Sequence, residues 1–159
     1  YITTPIIMRF FEEHIPMKSM TIMVQKEVAE RMQAGPGSKI YGSISLAVQY
    51  YATAKIIANV PPNCFMPRPN VGSAVIHLTS HDVRPVVAKD ERLMFNIIHA
   101  AFNQRRKTMM NALSNLGIVK DKETIKEALD AVGLDENIRG EALTLTQFAA
   151  FSDAVLARR

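Results

Sequence analysis

The sequence contains no tryptophan and a single cysteine, Cys64, among its 159 residues. One cysteine excludes an intramolecular disulfide framework and any metal site built from several thiolates. No stretch approaches the roughly 18 consecutive apolar residues of a transmembrane helix, and the pattern of a secretory signal peptide is also missing. We therefore expect a protein of the reducing cytoplasm that binds no membrane.

The residue patterns of common catalytic sites are missing as well. The four histidines have no His, Cys or Asp partner at metal-ligand spacing, so we expect no metal. No glycine-rich loop follows a predicted strand, because Gly35-Pro36-Gly37 comes after a helical pattern and is typical of a turn. Cys64 has no basic neighbour that would activate it as a nucleophile, and we interpret it as structural.

Apolar residues make up 48% of the sequence and charged residues 21%, which suits a packed core in one domain or two small ones. The net charge is +4. No acidic residue lies between Glu91 and Asp121, whereas five basic residues do: Arg92, Arg105, Arg106, Lys107 and Lys120. Such a stripe suits a phosphate backbone, but a solvated helix face explains it equally well.

Apolar spacing and turn residues divide the first half of the chain into helices and strands. The predicted helices cover residues 4–15, 26–33 and 43–51, and the predicted strands cover residues 19–24, 55–60 and 73–78. The last two strands have no helix between them and are expected to pair as a hairpin. This alternation predicts an α/β sheet covered on both faces.

The pattern lapses near residues 80–89 and is purely helical afterwards. Predicted helices cover residues 91–102, 105–116 and 121–132, and a last helix begins after Thr144, whose spacing to Gln147 matches a capping box. We therefore predict a small helical domain after the sheet.

The loop at residues 65–72 is the most informative segment. Pro67 and Pro69 stiffen its backbone, and neither can donate a hydrogen bond to a strand. Phe65 at its start either stacks on a nucleic-acid base or plugs the core beneath the loop. Physical reasoning alone favours the plug.

Five segments in this order and spacing resemble the ribosomal RNA adenine dimethyltransferases of the KsgA type. They are QKEVAER at residues 25–31, PGS at 36–38 with YG at 41–42, FMPRPNVGSAVI at 65–76, AFNQRRKT at 101–108 and RGEAL at 139–143. The resemblance implies the later part of a Rossmann-like methyltransferase domain at residues 1–82. A linker at 83–89 and a helical C-terminal domain at 90–159 would follow.

Members of this family use S-adenosylmethionine to dimethylate N6 of two adjacent adenines. These adenines lie in a hairpin loop near the 3′ end of the 16S RNA of the small (30S) ribosomal subunit. The resemblance implies the same activity and partner here, with the cofactor site mostly upstream of residue 1. Open alternatives are a non-enzymatic RNA- or DNA-binding factor on this scaffold and a large-subunit rRNA adenine methyltransferase.

The resemblance also implies roles for individual residues. Phe65 matches the aromatic residue that stacks on the target base, and Tyr1 adjoins the pocket motif. The expected RNA contacts are Arg105, Arg106, Lys107, Lys26, Arg31, Lys39, Tyr41 and Arg68. One member of the basic triplet is expected to pair internally with Glu141 or another acid, and Arg139 with Glu141 is expected to be a structural pair.

Because the expected cofactor motifs lie upstream of residue 1, we expect these 159 residues alone to be inactive. Incubated with labelled S-adenosylmethionine and unmethylated small subunits, they should leave the RNA unlabelled. Methyl transfer by this chain alone would contradict the expectation.

Overall fold

The computed structural model describes residues 3–159, except for the side chain of Thr3. Contacts between residues divide the chain into two units. The sheet unit comprises the residues up to Ala34 together with Ile44–Pro85, and the helical unit comprises Gly35–Ser43 together with Val86–Arg159. The segment Gly35–Ser43, named the strap below, thus packs with the helical unit although its sequence neighbours belong to the sheet unit.

The described residues of the sheet unit form three α-helices and three strands. In chain order they are α1 (Thr3–Glu12), β1 (Ser19–Gln25), α2 (Lys26–Met32), α3 (Ser43–Tyr51), β2 (Ala52–Val60) and β3 (Ser73–Ser80). Strand β1 and helix α3 each pass directly into the next element. The strand order is β1-β3-β2, and β3 is antiparallel to both neighbours. The predicted hairpin of the last two strands is confirmed, and its register shifts at a bulge between Ile56 and Ala58.

One face of this sheet is buried, and its centre is the middle strand. Ala74, Ile76 and Leu78 alternate along β3 and are almost fully buried, as expected for side chains at every second position of a strand. Helix α2 packs across all three strands.

The opposite face of the sheet is exposed at β1, although both faces were predicted to be covered. Met23 is 51% exposed. Thr21 pairs across the strands with His77, and its hydroxyl lies 2.7 Å from Nδ1 of that residue. The described helices leave these side chains uncovered, so the prediction of two covered faces is wrong for this part of the chain. Continuous apolar runs do not distinguish a strand buried on one face from one buried on both.

The helical unit contains four helices and a 3-10 turn, and the start of each helix is capped. They are α4 (Glu91–Asn103), α5 (Met109–Asn115), α6 (Lys122–Ala131), the 3-10 turn Gly140–Ala142 and α7 (Leu145–Leu156). The predicted capping box is confirmed, because the Thr144 hydroxyl accepts from the Gln147 N–H and the Gln147 side chain accepts from the Thr144 N–H. None of the helices that the structure describes is long and apolar enough to cross a bilayer.

The predicted helix at residues 105–116 begins four residues later than expected. Helix α5 starts at Met109, because Thr108 caps it by accepting a hydrogen bond from the Asn111 N–H at 3.3 Å. Residues 104–107 form a turn, closed by the Lys107 N–H donating to the Gln104 carbonyl at 2.8 Å. The basic triplet therefore projects from a turn and not from a helix face.

A close approach between the 3-10 turn and α4 requires glycine at position 140. A Cβ atom placed on Gly140 would lie 2.6 Å from the Cβ of Ala101. Gly140 is buried in a closely packed interior, so an added methyl group would have to displace its neighbours.

The substitution Gly140→Ala is expected to lower the free energy of unfolding by about 1–3 kcal/mol through overpacking. Gly42→Ala is the matched control, because nothing lies within 4 Å of a Cβ atom at that position. Urea unfolding of the two variants measures the difference. Equal midpoints for both variants would show that the helical unit absorbs the added methyl group.

Candidate nucleic-acid interface

In the sheet unit, the loop at residues 61–72 connects β2 to β3 and carries Phe65. A 3-10 turn at Pro62–Cys64 opens the loop, and the Phe65 N–H donates to the Pro62 carbonyl at 3.2 Å. The Phe65 side chain is half-buried. Part of its surface is packed and part is accessible, which fits both interpretations, a plug beneath the loop and a ring that stacks on a base. Met66 beside it is 97% exposed.

A cleft of about 370 Å³ lies where β1 passes into α2. Its lining residues are Gln25, Lys26, Glu27, Glu30, Val71 and Gly72. The Lys26 N–H donates to the Gly72 carbonyl at 3.0 Å and so joins the cleft to the end of the loop. Two carboxylates beside one ammonium group make this cleft electrostatically mixed, so it is no simple phosphate cradle.

The other predicted basic contacts of the sheet unit lie on its surface. Arg31 is exposed and pairs with Glu27 one helical turn away, with 2.6 Å between the guanidinium and the carboxylate. Lys26 and Arg68 are exposed and have no ion pair in the part of the chain that the structure describes.

In the helical unit, Tyr41 of the strap is completely buried. Its hydroxyl donates to the Leu143 carbonyl at 2.8 Å, and its ring meets Phe102 edge-on with 5.6 Å between centroids. Burial raises the pKa of the Tyr41 phenol above its usual range. Tyr41 offers no exposed surface to RNA, so its expected role as an RNA contact is corrected to a packing role.

Arg105 lies with its guanidinium against the strap. It donates to the Tyr41 carbonyl at 2.7 Å, to the Ser38 carbonyl at 3.1 Å and to the Glu141 carboxylate at 3.3 Å. The expectation that one member of the triplet pairs with Glu141 is confirmed. Among the described residues Arg139 has no ion pair, so the expected pair of Arg139 with Glu141 is wrong.

Three of the basic residues predicted to contact RNA are exposed in the helical unit. They are Lys39 on the strap and Arg106 and Lys107 in the turn after α4. None of them has an ion pair or a side-chain hydrogen bond within residues 3–159 as described. They are therefore free to bind an external anion.

Comparison with known proteins identifies the family of this chain. The sequence profile of the family described as ribosomal RNA adenine dimethylase matches residues 1–152. The chain belongs to this family. A relative from Lachnoclostridium phytofermentans called "Ribosomal RNA small subunit methyltransferase A" is 62% identical over 98% of this chain and 54% of its own length. A relative of the same name from Alkaliphilus oremlandii is 50% identical over 96% of this chain and 53% of its own length.

The chain thus spans about half the length of the curated relatives that it matches. Solved structures agree on the fold. A dimethyladenosine transferase from Plasmodium falciparum superposes with a TM-score of 0.76 at 23% identity, over 94% of this chain and 61% of that one. The 23S rRNA methyltransferase ErmE superposes with a TM-score of 0.64 at 16% identity, over 98% of this chain and 62% of that one. The predicted α/β methyltransferase fold is therefore confirmed.

Sequence reasoning missed some of the groups that shape these surfaces. The backbone carbonyls of Ser38 and Tyr41 hold Arg105, and no side-chain pattern marks a carbonyl as an acceptor. Glu27 and Glu30 line the cleft, and their place one and four residues after Lys26 at the start of α2 was an available signal. Tyr1 lies outside the described residues. No cluster of three metal-ligating side chains occurs in the region that the structure describes.

The buried phenol of Tyr41 generates a pH prediction. An unfolded tyrosine loses its proton near pH 10, whereas the raised pKa keeps Tyr41 protonated in the folded state. The contribution of the protonated, buried Tyr41 to the free energy of unfolding is therefore complete below about pH 10 and is lost as the pH rises above that value.

We expect Tyr41→Phe to lower the free energy of unfolding by about 1 kcal/mol at pH 8, because the hydrogen bond to Leu143 is lost. The difference in free energy of unfolding between the two proteins should narrow above about pH 10. Above that pH the unfolded wild type loses the Tyr41 proton while the folded wild type keeps it, which lowers the stability of the wild type alone. Urea unfolding at pH 8 and at about pH 11 measures both values. A gap that stays constant would show that Tyr41 titrates as it does when unfolded.

Proposed function

We propose that the protein to which this chain belongs dimethylates N6 of two adjacent adenines in small-subunit ribosomal RNA, with S-adenosylmethionine as methyl donor. The adenines would lie in the hairpin loop near the 3′ end of the RNA, on 30S subunits in the cytoplasm. The observation that carries this proposal is the family match over residues 1–152, supported by 62% identity to a small-subunit rRNA methyltransferase.

An adenine in a loop must leave its stack before N6 is accessible, so the site needs a surface that receives the flat face of the base. Phe65 supplies an aromatic ring that is half-buried and therefore anchored, with part of its surface open. The 3-10 turn before it and the prolines after it restrict the backbone on both sides. We assign Phe65 the role of stacking on the target adenine.

The exposed basic residues supply affinity that does not depend on sequence. Lys39, Arg106 and Lys107 in the helical unit are unpaired cations suited to phosphate oxygens. Lys26 and Arg68 offer the same chemistry in the sheet unit. Arg31 keeps its ion pair with Glu27, and exposed pairs of this kind are weak enough to exchange for a phosphate.

The described residues do not fit a site for S-adenosylmethionine. Strand β1 passes directly into α2 with no glycine between them, and Glu27 and Glu30 line the cleft at that point. The donor would supply the methyl groups, and we assign none of the residues described here to holding it. Binding and orienting the RNA are the roles left to this chain.

The test uses the complete gene product with labelled S-adenosylmethionine and unmethylated 30S subunits. Digestion of the RNA should release labelled N6,N6-dimethyladenosine from the 3′-terminal hairpin. Tight subunit binding without label would instead indicate a non-enzymatic RNA-binding protein. Label in large-subunit RNA alone would indicate a methyltransferase of the other subunit.

In the complete gene product, Phe65→Ala is expected to lower kcat/KM for 30S subunits by about tenfold to a hundredfold, the usual loss for one base-stacking contact. Met66→Ala is the matched control, because Met66 is adjacent and almost fully exposed. Phe65→Tyr should retain most of the activity, since it keeps the aromatic face. If Phe65→Ala matched Met66→Ala, the ring would have no part in holding the base.

A further inference from the structure

Four hydrogen bonds join the strap to the rest of the helical unit. The Gly37 N–H donates to the Glu141 carbonyl at 2.9 Å, and the Tyr41 hydroxyl donates to the Leu143 carbonyl at 2.8 Å. Arg105 adds hydrogen bonds to the Ser38 and Tyr41 carbonyls. The two carbonyls held by Arg105 lie on either side of Lys39 in the chain.

Arg105 is suited to this position by its planar fork of N–H donors. It donates to three acceptors at once, two neutral carbonyls and the Glu141 carboxylate, and its side chain is only 34% exposed. Its guanidinium carbon also lies 5.8 Å from the centre of the Phe102 ring. Glu141 offsets the charge of Arg105, so little of that charge is left to attract a phosphate.

Arg106 and Lys107 differ from Arg105 in every one of these respects. Both are exposed and unpaired within the described residues, although they follow Arg105 directly in the chain. Lys39 is likewise exposed and unpaired. The turn at residues 104–107 thus points one cation inward to the strap and leaves two outward.

We propose that Arg105 is a positioning residue and not a phosphate contact. By holding the carbonyls on both sides of Lys39, it fixes the strap beside the turn after α4. Lys39, Arg106 and Lys107 then form one anion-binding surface from two segments distant in sequence. The inference rests on the proposed function, because it takes RNA phosphate as the anion.

The first test measures hydrogen exchange of the complete gene product without RNA. The strap amides of Gly37, Ser38, Ile40 and Tyr41 all donate hydrogen bonds and report on its order. Arg105→Lys keeps the charge but cannot reach three acceptors, so these amides should exchange about tenfold faster or more. Arg106→Lys is the matched control and should leave their exchange unchanged.

The second test measures binding to a 3′-terminal small-subunit rRNA hairpin over a range of salt concentrations. Arg105→Lys should weaken binding at every salt concentration while keeping the slope of log affinity against log salt, because the charge remains. Arg106→Gln should reduce the magnitude of that slope by about one, because one fewer phosphate is neutralised. Lys39→Gln should cost less affinity in the Arg105→Lys background than in the wild type, because Lys39 is already misplaced there.

Three results would overturn the inference. They are wild-type exchange of the strap in Arg105→Lys, equal cost of Lys39→Gln in both backgrounds, and absence of RNA binding by the wild type. If Arg105→Lys fails to fold, exchange in α6 and α7 will rise together with the strap. Glu141→Gln then replaces it as the milder variant, with faster exchange expected in the strap alone.

Failure of the proposed function gives a different signature. A wild type that binds the hairpin but releases no labelled N6,N6-dimethyladenosine from 30S subunits would refute the activity. The exchange difference between Arg105→Lys and Arg106→Lys and the binding difference between Arg105→Lys and Arg106→Gln would be unaffected in that case, because neither measurement requires methyl transfer.

Discussion

Buried backbone carbonyls must be given hydrogen-bond donors, and this constraint shapes the helical unit. The strap brings eight residues without helix or strand into that unit, and only some of their polar groups bond to one another. Arg105 supplies donors to two of its carbonyls, and the Glu141 carbonyl accepts from Gly37. Burial of Tyr41 adds apolar area to this polar frame.

The same constraint explains why three consecutive basic residues differ in role. A continuous helix through residues 105–116 would have turned Arg105, Arg106 and Lys107 to successive sides of one cylinder. Thr108 caps α5 instead, and the turn before it directs Arg105 to the strap. The turn before the cap therefore places Arg105 against acceptors and leaves Arg106 and Lys107 exposed.

In the sheet unit, strand pairing positions the loop that carries Phe65. The central strand β3 pairs on both sides, and its buried alternate residues anchor the loop at residues 61–72 at one end of the sheet. The cleft beside α2 lies at that end too, since the Lys26 N–H bonds to the Gly72 carbonyl. Phe65 is consequently held on a loop anchored by two paired strands, which suits the base-stacking role proposed for it.

Local sequence determined most of the secondary structure. Periodic apolar residues, caps such as Thr144 and turn residues act within a few positions, so α3, the β2–β3 hairpin and α7 could be predicted closely. The family resemblance was also present in the sequence, because short motifs keep their order and spacing. Tertiary structure alone decided the roles of Arg105 and Tyr41, whose partners lie across long sequence separations. Those partners are mostly backbone carbonyls, which every residue possesses, so no residue type in the sequence could have predicted them.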